Sequence, residues 1–258
     1  MAIITLTSDW GTKDHYLGAV KGKLISKLPD ARIIDITHQI PVFNTTQAAF
    51  IIKNCYRDFP EGSIHIIAVN SEESDKNPHV IVEYKKQFFI GTDNGIFSLI
   101  FDEKPQQIIE LSIPQDSDRF TFSTYNRFIQ AAVQLAAGDP PASLGEVLGK
   151  LNEKLSFRPI TDKNMIKGLV IYIDNYENII TNITEEVFQK ISAKRKFEII
   201  LRGEVIRKIH QSYTDVPAGD IVALFGTHGH LEIAINQGNA SSLLGLSLDD
   251  ILRIEFAD

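Results

Sequence analysis

The chain has 258 residues, 43% hydrophobic and 23% charged, enough to bury one large core or two smaller ones, and two domains are the expectation. A net charge of -7 and a pI near 5.5 leave no basic face in the bulk charge for a phosphate backbone or an anionic membrane, so nucleic acid is not an expected partner. The apolar runs are strand-sized, "MAIITLTSDWG" lacks the pattern of a signal peptide, and the single Cys55 has no intrachain disulfide partner; a cytoplasmic protein without membrane spans is expected.

"AIITLTS" is a short β run closed by Asp9-Trp10-Gly11, and "YLGAVKGKLISKL" repeats apolar residues at helical spacing until Pro29. "ARIIDIT" is a second strand. "NTTQAAFIIKNCYRDF" is a helix with Asn44, Thr45 or Thr46 as its cap, and "SIHIIAV" is a third strand. "HVIVEY" and "QFFIGTDNG" read as a hairpin, "GIFSLIF" as a short helix, and "RFIQAAVQLAAG" as an amphipathic helix ended by Gly138. Strands alternating with helices of about a dozen residues predict a mainly parallel sheet with helices on both faces. After the polar connection "GKLNEKLSFRPITDKNM" the pattern changes to short strands: "GLVIYID", "NIITNI", "KFEIIL", "IVALFG", "HLEIAI" and "ILRIEF". The expectation is therefore an α/β fold: an N-terminal α/β domain over 1–158 and a C-terminal β-barrel or sandwich domain over 166–258.

The carboxyl ends of parallel strands form the crevice of an open α/β sheet, which singles out two loops. "SDWGTKDHY" brings Asp9, Trp10 and Asp14 to the end of the first strand: carboxylates for a ribose diol or an ammonium group and an aromatic for a base, or, alternatively, a plain cap for the next helix. "AVNSEESDKNPH" follows the third strand with several acidic side chains and His79. No Walker loop and no GxGxxG follows any strand, which argues against nucleoside triphosphates and dinucleotides. His228-Gly229-His230 lacks a third ligand at a recognisable spacing, so no metal is expected. Cys55 lies in a helical pattern and reads as packing. "GTDNG" reads as a tight turn, and Ser123 lacks the elbow motif of a nucleophile.

In order along the chain, "ITLTSDWGTKDHYLGAVKG", "DITHQIP", "FPEGSIHIIAV", "FIGTDNGIFSLI", "IDNYENIITNI" and "GHLEIAINQGNA" resemble the S-adenosylmethionine (SAM) hydroxide adenosyltransferases, or SAM hydrolases, relatives of the SAM-dependent fluorinase and chlorinase. The resemblance implies a homotrimer with SAM held between the N-domain of one subunit and the C-domain of the next, and no cofactor beyond SAM itself as substrate or ligand. It implies that Asp9 binds the ribose hydroxyls, Asp14 pairs with the amino group of the methionine portion, and Phe43 lines the ribose and reacting carbon. Asp174 and Asn178 would hold the amino-acid end, Thr227 and His228 its carboxylate, Tyr213 would stack on adenine, and Asn236 would meet the adenine edge. Thr124 matches a halide-contacting hydroxyl of the fluorinase.

The chain departs from that family at the residues that handle water. An Asp, an Arg and a His of the family align here with Asn70, Asn77 and Ser123, which orient a water by hydrogen bonds but do not take its proton near neutral pH. Losing general-base help costs typically ~100 to 10,000-fold. Glu72, Glu73, Asp75 and His79 are the nearby replacements. Two readings follow: an enzyme hydrolysing SAM to adenosine and L-methionine, and a protein that binds SAM or adenosine at a degenerate nucleophile site. A halogenase is disfavoured, because Glu73 would set a carboxylate beside the halide.

Overall fold

The computed structural model describes residues 1–114, 121–155 and 158–257. Ser156 and Phe157, within the polar connection, lie outside the described residues. The chain divides into two compact units, Met1–Leu155 and Ser156–Asp258.

The first unit is built on a seven-stranded sheet in the order β2-β1-β3-β5-β4-β6-β7. Its strands are β1 (Ile3–Ser8), β2 (Arg32–Thr37), β3 (Ile64–Ala68), β4 (His79–Tyr84), β5 (Gln87–Thr92), β6 (Gln107–Leu111) and β7 (Gly145–Val147). From β2 through β1 and β3 to β5 the neighbours are parallel; β4, β6 and β7 add on antiparallel. The change of direction has a local cause. Lys85 and Lys86, the two residues joining β4 to β5, both have positive φ (50° and 60°), the backbone of a tight hairpin turn that can only reverse the chain.

Helices cover both faces. α1 (Tyr16–Lys27) and α4 (Ile129–Ala137) pack on one face and α2 (Thr45–Lys53) and α3 (Ile96–Ile100) on the other. Alternate strand residues serve the two cores: Ile81 and Ile90 join Leu24 and Leu135, while Val80, Val82 and Phe89 join Ile52 and Phe97. Burial on both faces makes these strands read as unbroken apolar runs. Asn44 is the cap of α2, accepting from the Gln47 N–H at 3.0 Å, and Gly138 ends α4 in the left-handed region. Cys55, just past α2, is half-buried, and burial pushes its thiol up to about 11, in keeping with a packing role.

The second unit is a nine-stranded, nearly closed, barrel-like sheet. Its strands are β8 (Ile160–Asp162), β9 (Met165–Ile173), β10 (Ile179–Thr184), β11 (Phe197–Leu201), β12 (Glu204–Ile206), β13 (Ile209–His210), β14 (Ile221–Phe225), β15 (His230–Ile235) and β16 (Ile251–Phe256). β9 is central, pairing with β16, β10 and β8. At Gly168 a Cβ would come within 2.6 Å of the Ile183 side chain, so a bare backbone is needed there. α5 (Glu185–Ser192) is capped by Thr184, and α6 (Ala240–Leu244) follows β15.

Candidate functional site

In the first unit, Asp9 leaves the carboxyl end of β1, and one of its oxygens gathers two neighbouring loops. Oδ2 accepts the Phe43 N–H at 2.9 Å from the loop after β2 and the Asn70 N–H at 3.2 Å from the loop after β3. Both donors sit at positive φ, 65° at Phe43 and 47° at Asn70, a region uncommon for Asn and an outlier for a bulky aromatic. Two amides turned toward one carboxylate offset that strain. The helix-cap alternative for Asp9 and Asp14 does not hold: α1 starts after His15 with no side-chain cap, Asp14 is exposed, and Asp9 is engaged by the loops.

Trp10 packs edge-on to Phe122 (5.2 Å between centroids) and stacks over His38 (6.5 Å, 10°), with Tyr16 also in the cluster. His38 Nδ1 in turn bonds the buried Ser8 Oγ at 2.7 Å, and its backbone carbonyl accepts from the Gly11 N–H, so the Asp9 loop is braced from below. Phe43, by contrast, is 68% exposed. Ser123 and Thr124 are buried at the start of a π-helical turn (Thr124–Phe128) that runs into α4. Thr124 Oγ1 has no hydrogen-bond partner among the described residues.

The loop after β3 is held at several points. The Asn94 amide nitrogen donates to the Val69 and Asn70 carbonyls (3.2 and 3.0 Å), which gives the "GTDNG" turn a second task. Ser74 and Asn77 close a small turn, and the Asn77 amide, oriented to satisfy both its ends, donates to the Lys76 and Asp93 carbonyls (3.2 and 3.3 Å). Asp93 is buried, accepts from the Asn152 N–H at 2.8 Å, and burial raises its carboxyl above the ordinary value. Glu72 and Asp75 are exposed. Glu73 bonds Arg127 of the π turn at 2.5 Å. His79, the first residue of β4, is fully buried: Nε2 bonds the Ser71 carbonyl at 3.0 Å and Nδ1 faces Arg127 at 3.4 Å. Burial holds the His79 imidazole below its ordinary value, with Ser71 and Glu73 opposing and Arg127 adding to the effect.

In the second unit, Asp174 organises its own turn, Oδ1 accepting from the Tyr176 and Asn178 N–H groups (both 2.8 Å) and Oδ2 from the Asn178 amide at 3.0 Å. Asp174, Asn178, Tyr213, Gln237 and Asn239 line a cleft of about 620 Å³. The Tyr213 hydroxyl donates to Glu232 Oε1 at 2.7 Å, and the other oxygen of that buried carboxylate lies 3.3 Å from His228 Nε2. Burial, and then the carboxylate it touches, hold the Tyr213 phenol above its ordinary value. His228 Nδ1 accepts the His230 N–H at 3.1 Å, so both of its ring nitrogens are engaged within the protein. Gly226 leaves room for this pair, since a Cβ there would meet His228 Nε2 at 2.5 Å and Glu232 Oε2 at 2.8 Å. Thr227 is exposed, and the Asn236 amide nitrogen donates to the Val216 carbonyl at 2.8 Å, which leaves its oxygen as an acceptor. Among the described residues no three His, Cys, Asp or Glu side chains are grouped as a metal ion needs, and no helix is long and apolar enough to cross a membrane.

The first unit thus brings together Asp9, Trp10, Phe43 and Asn70, and joins Glu73 to His79; the second brings together Asp174, Asn178 and Tyr213. Sequence reasoning did not single out Arg127 or Glu232. Arg127 stands four residues after Ser123, but its partner lies 54 positions away, and no spacing rule reaches that far. Glu232 alternates correctly for a strand, and nothing in its neighbours foretells that Tyr213 and His228 converge on it.

The chain resembles known proteins along nearly its whole length. The N-terminal domain profile of the SAM hydroxide adenosyltransferases matches residues 4–145, and the C-terminal domain profile matches residues 168–253. A protein of Methanocaldococcus jannaschii named (R)-S-adenosyl-L-methionine hydrolase is 28% identical over 98% of this chain and 95% of its own length. One of the same name from Thermus thermophilus is 26% identical over 95% and 96%. The crystal structure of an uncharacterised conserved protein from Thermotoga maritima superposes with a TM-score of 0.88 at 27% identity, covering 98% of this chain and 99% of that one. With both domain profiles matched in order across most of its length, the chain belongs to the SAM hydroxide adenosyltransferase family.

Proposed function

We propose that the protein is an enzyme that hydrolyses S-adenosylmethionine to adenosine and L-methionine by displacement at the 5′ carbon. The observation that carries this reading is the Asp9 carboxylate, pinned through Oδ2 by two loop amides at the carboxyl edge of the sheet, with no hydrogen bond to Oδ1 among the described residues. Held that way, Oδ1 is set to accept from a ribose hydroxyl, with Trp10 and Phe43 beside it. Asp14 takes the amino group of the methionine portion. On the second unit, Asp174 and Asn178 hold the amino-acid end, Thr227 and the backbone of His228, whose ring nitrogens are both engaged, hold its carboxylate, Tyr213 stacks on adenine, and the Asn236 oxygen accepts from the adenine amine.

The sulfonium is an activated leaving group, so the protein's task is to align a partly dehydrated water and receive its proton. The water oxygen bonds to C5′, the C–S bond breaks, and its electron pair leaves with methionine as a neutral thioether. Asn70, Ser123 and Thr124 orient the water. Asn77 acts indirectly, since its amide is turned into the loop. His79 is sealed in by Ser71 and Arg127 and is unsuited to take the proton; Glu73, partly exposed beside Arg127, takes it. No cofactor enters these steps. We further propose a cytoplasmic homotrimer in which another copy completes each half-site.

A second reading, SAM or adenosine binding without turnover, is favoured by one observation: Asn70, Asn77 and Ser123 bring no ionisable group to the water. Incubation of the purified protein with SAM, followed by chromatography and alongside calorimetric binding, separates the two. The enzyme releases adenosine and methionine in equal amounts; binding without product over a day leaves the second reading; absence of binding overturns both. Sedimentation at a trimer mass checks the assembly, and a monomer that still turns SAM over refutes it.

A further inference from the structure

We propose that Arg127 is the positioning residue of the nucleophile loop, clamping residues 70–77 onto the π-helical turn that carries Ser123 and Thr124. The proposal rests on the hydrolase reading for its catalytic consequence, and on geometry alone for the clamp itself.

Three observations carry it. Arg127 is the side chain of the π turn that reaches the loop: Nη1 donates to Glu73 Oε2 at 2.5 Å and lies 3.4 Å from His79 Nδ1, while Glu73 Oε1 is 3.8 Å from the same imidazole nitrogen. A guanidinium, a carboxylate and an imidazole thus meet from three separate places in the sequence, the turn before α4, the loop after β3 and the first residue of β4. Next, the imidazole has a defined role. Its Nε2–H donates to the Ser71 carbonyl, so Nδ1 carries the lone pair and accepts from Arg127, which ties the loop backbone at Ser71 and the loop side chain at Glu73 to one cation. Finally, the clamp is sheltered on two of its three members: the Arg127 side chain is 16% exposed and His79 is fully buried, while Glu73 reaches in from the solvent side.

The turn that Arg127 anchors is not an ordinary helical start. Five residues from Thr124 to Phe128 are wound as a π turn, preceded by Phe122 at φ 65°, and Thr124 Oγ1 is buried with no partner among the described residues. A widened turn of this kind frequently marks a functional site. Fixing it against the loop sets the Thr124 hydroxyl, the Ser123 hydroxyl and the Glu73 carboxylate in one frame. Lysine offers a point charge at a different reach, and methionine offers none, so a graded series tests the idea.

The experiment compares wild type, Arg127→Lys and Arg127→Met by single-turnover kinetics with SAM, by calorimetry, and by amide hydrogen exchange of residues 70–77. The expected result for Arg127→Met is a 10- to 100-fold fall in kcat (~10–100, the range of one lost orienting interaction), with the Kd for SAM changed less than about threefold and loop exchange at least about tenfold faster. Arg127→Lys should recover part of both kcat and protection. Unchanged loop exchange in a folded Arg127→Met overturns the clamp. Unchanged kcat, or a fall in kcat matched by an equal rise in Kd, overturns its service to the reaction. If wild type itself binds SAM and releases no adenosine, the hydrolase reading fails, and exchange still decides the clamp. If Arg127→Met does not fold, Arg127→Lys carries the decision: full protection and full kcat refute the need for a guanidinium in the clamp.

Discussion

Two aspartates, Asp9 in the first unit and Asp174 in the second, stand at comparable places in the proposed chemistry and are built in opposite ways. Asp9 accepts from backbone amides 34 and 61 residues away, so its position exists only once β1, β2 and β3 are side by side. Asp174 accepts from amides two and four residues ahead, in a turn that closes on itself. The first is a product of the whole sheet, the second of a short segment. A change at Asp9 should therefore spread to two loops, and a change at Asp174 should stay local.

The sharpest way to break that comparison is Asp9→Ala. Two charge-assisted bonds to loop amides and the proposed bond to ribose are lost together, each worth roughly 1.5–3 kcal/mol, so SAM affinity should fall by about 1,000-fold, or roughly 4 kcal/mol. Asp9→Asn, with its amide oxygen at the Oδ2 position, should keep the loops in place and lose less. Calorimetry with both variants checks this; an affinity for Asp9→Ala equal to wild type would remove Asp9 from the ribose.

The same long-range wiring runs deeper in the first sheet and gives a pH prediction. His65 of β3 bonds Thr5 of β1 through Nδ1 (2.8 Å) and Gln87 of β5 through Nε2 (2.9 Å), and burial holds its imidazole down to about 4, against an ordinary 6.5. The unfolded chain therefore binds the extra proton first. Stability from this group is complete above pH 6.5 and is lost as the pH falls through about 4, a change of up to about 3 kcal/mol. Urea unfolding of the wild type from pH 7 to 4 should show the loss, and His65→Gln should flatten that part of the curve. An unchanged slope in the variant would assign the acid sensitivity elsewhere.

Much of this was legible in the residues. Strands covered by helices on both faces show as "AIITLTS" and "SIHIIAV", and Asp9 at the end of the first of them was marked by its place alone. Other parts were not. β8, β12 and β13 have three, three and two residues, too few to show a period of two. The β4/β5 hairpin is legible only from its two apolar runs, because its turn uses Lys85-Lys86 where Asn-Gly is the usual signal. Asp9's partners are backbone N–H groups, which any residue supplies, so nothing at Phe43 or Asn70 announces them. His79 is at once the last residue of the polar loop and the first of "HVIVEY"; pairing with Thr92 keeps it in the strand, and that buries it away from the role of a base.

Asn70 allows the loop to be sharpened as well as broken. Its backbone N–H is committed to Asp9, its backbone is left-handed, and the residue is exposed. Aspartate tolerates the same backbone, so Asn70→Asp should keep the turn and add a proton acceptor where the resemblance implies one. We expect turnover to rise by about tenfold, at the low end because a second carboxylate beside Asp9 raises the cost of ionising both. Release of adenosine no faster than in wild type would place the rate-limiting step away from proton transfer.

The smallest expected effect belongs to the locally built half. In Tyr213→Phe the ring proposed to stack on adenine remains, and the hydroxyl that donates to Glu232 Oε1 is lost. Glu232 then keeps His228 on its other oxygen but has a buried oxygen to satisfy, so the second unit should lose about 1–2 kcal/mol of stability. The effect on SAM affinity should be only a few-fold, because stacking survives and the Asp174 turn is untouched. Measured together, denaturation and calorimetry give a ratio opposite to that of Asp9→Ala: more stability lost than affinity. If Tyr213→Phe instead lowered affinity as much as Asp9→Ala, the Tyr213–Glu232–His228 chain would be part of ligand recognition itself, and the division between a sheet-built and a turn-built half-site would fail.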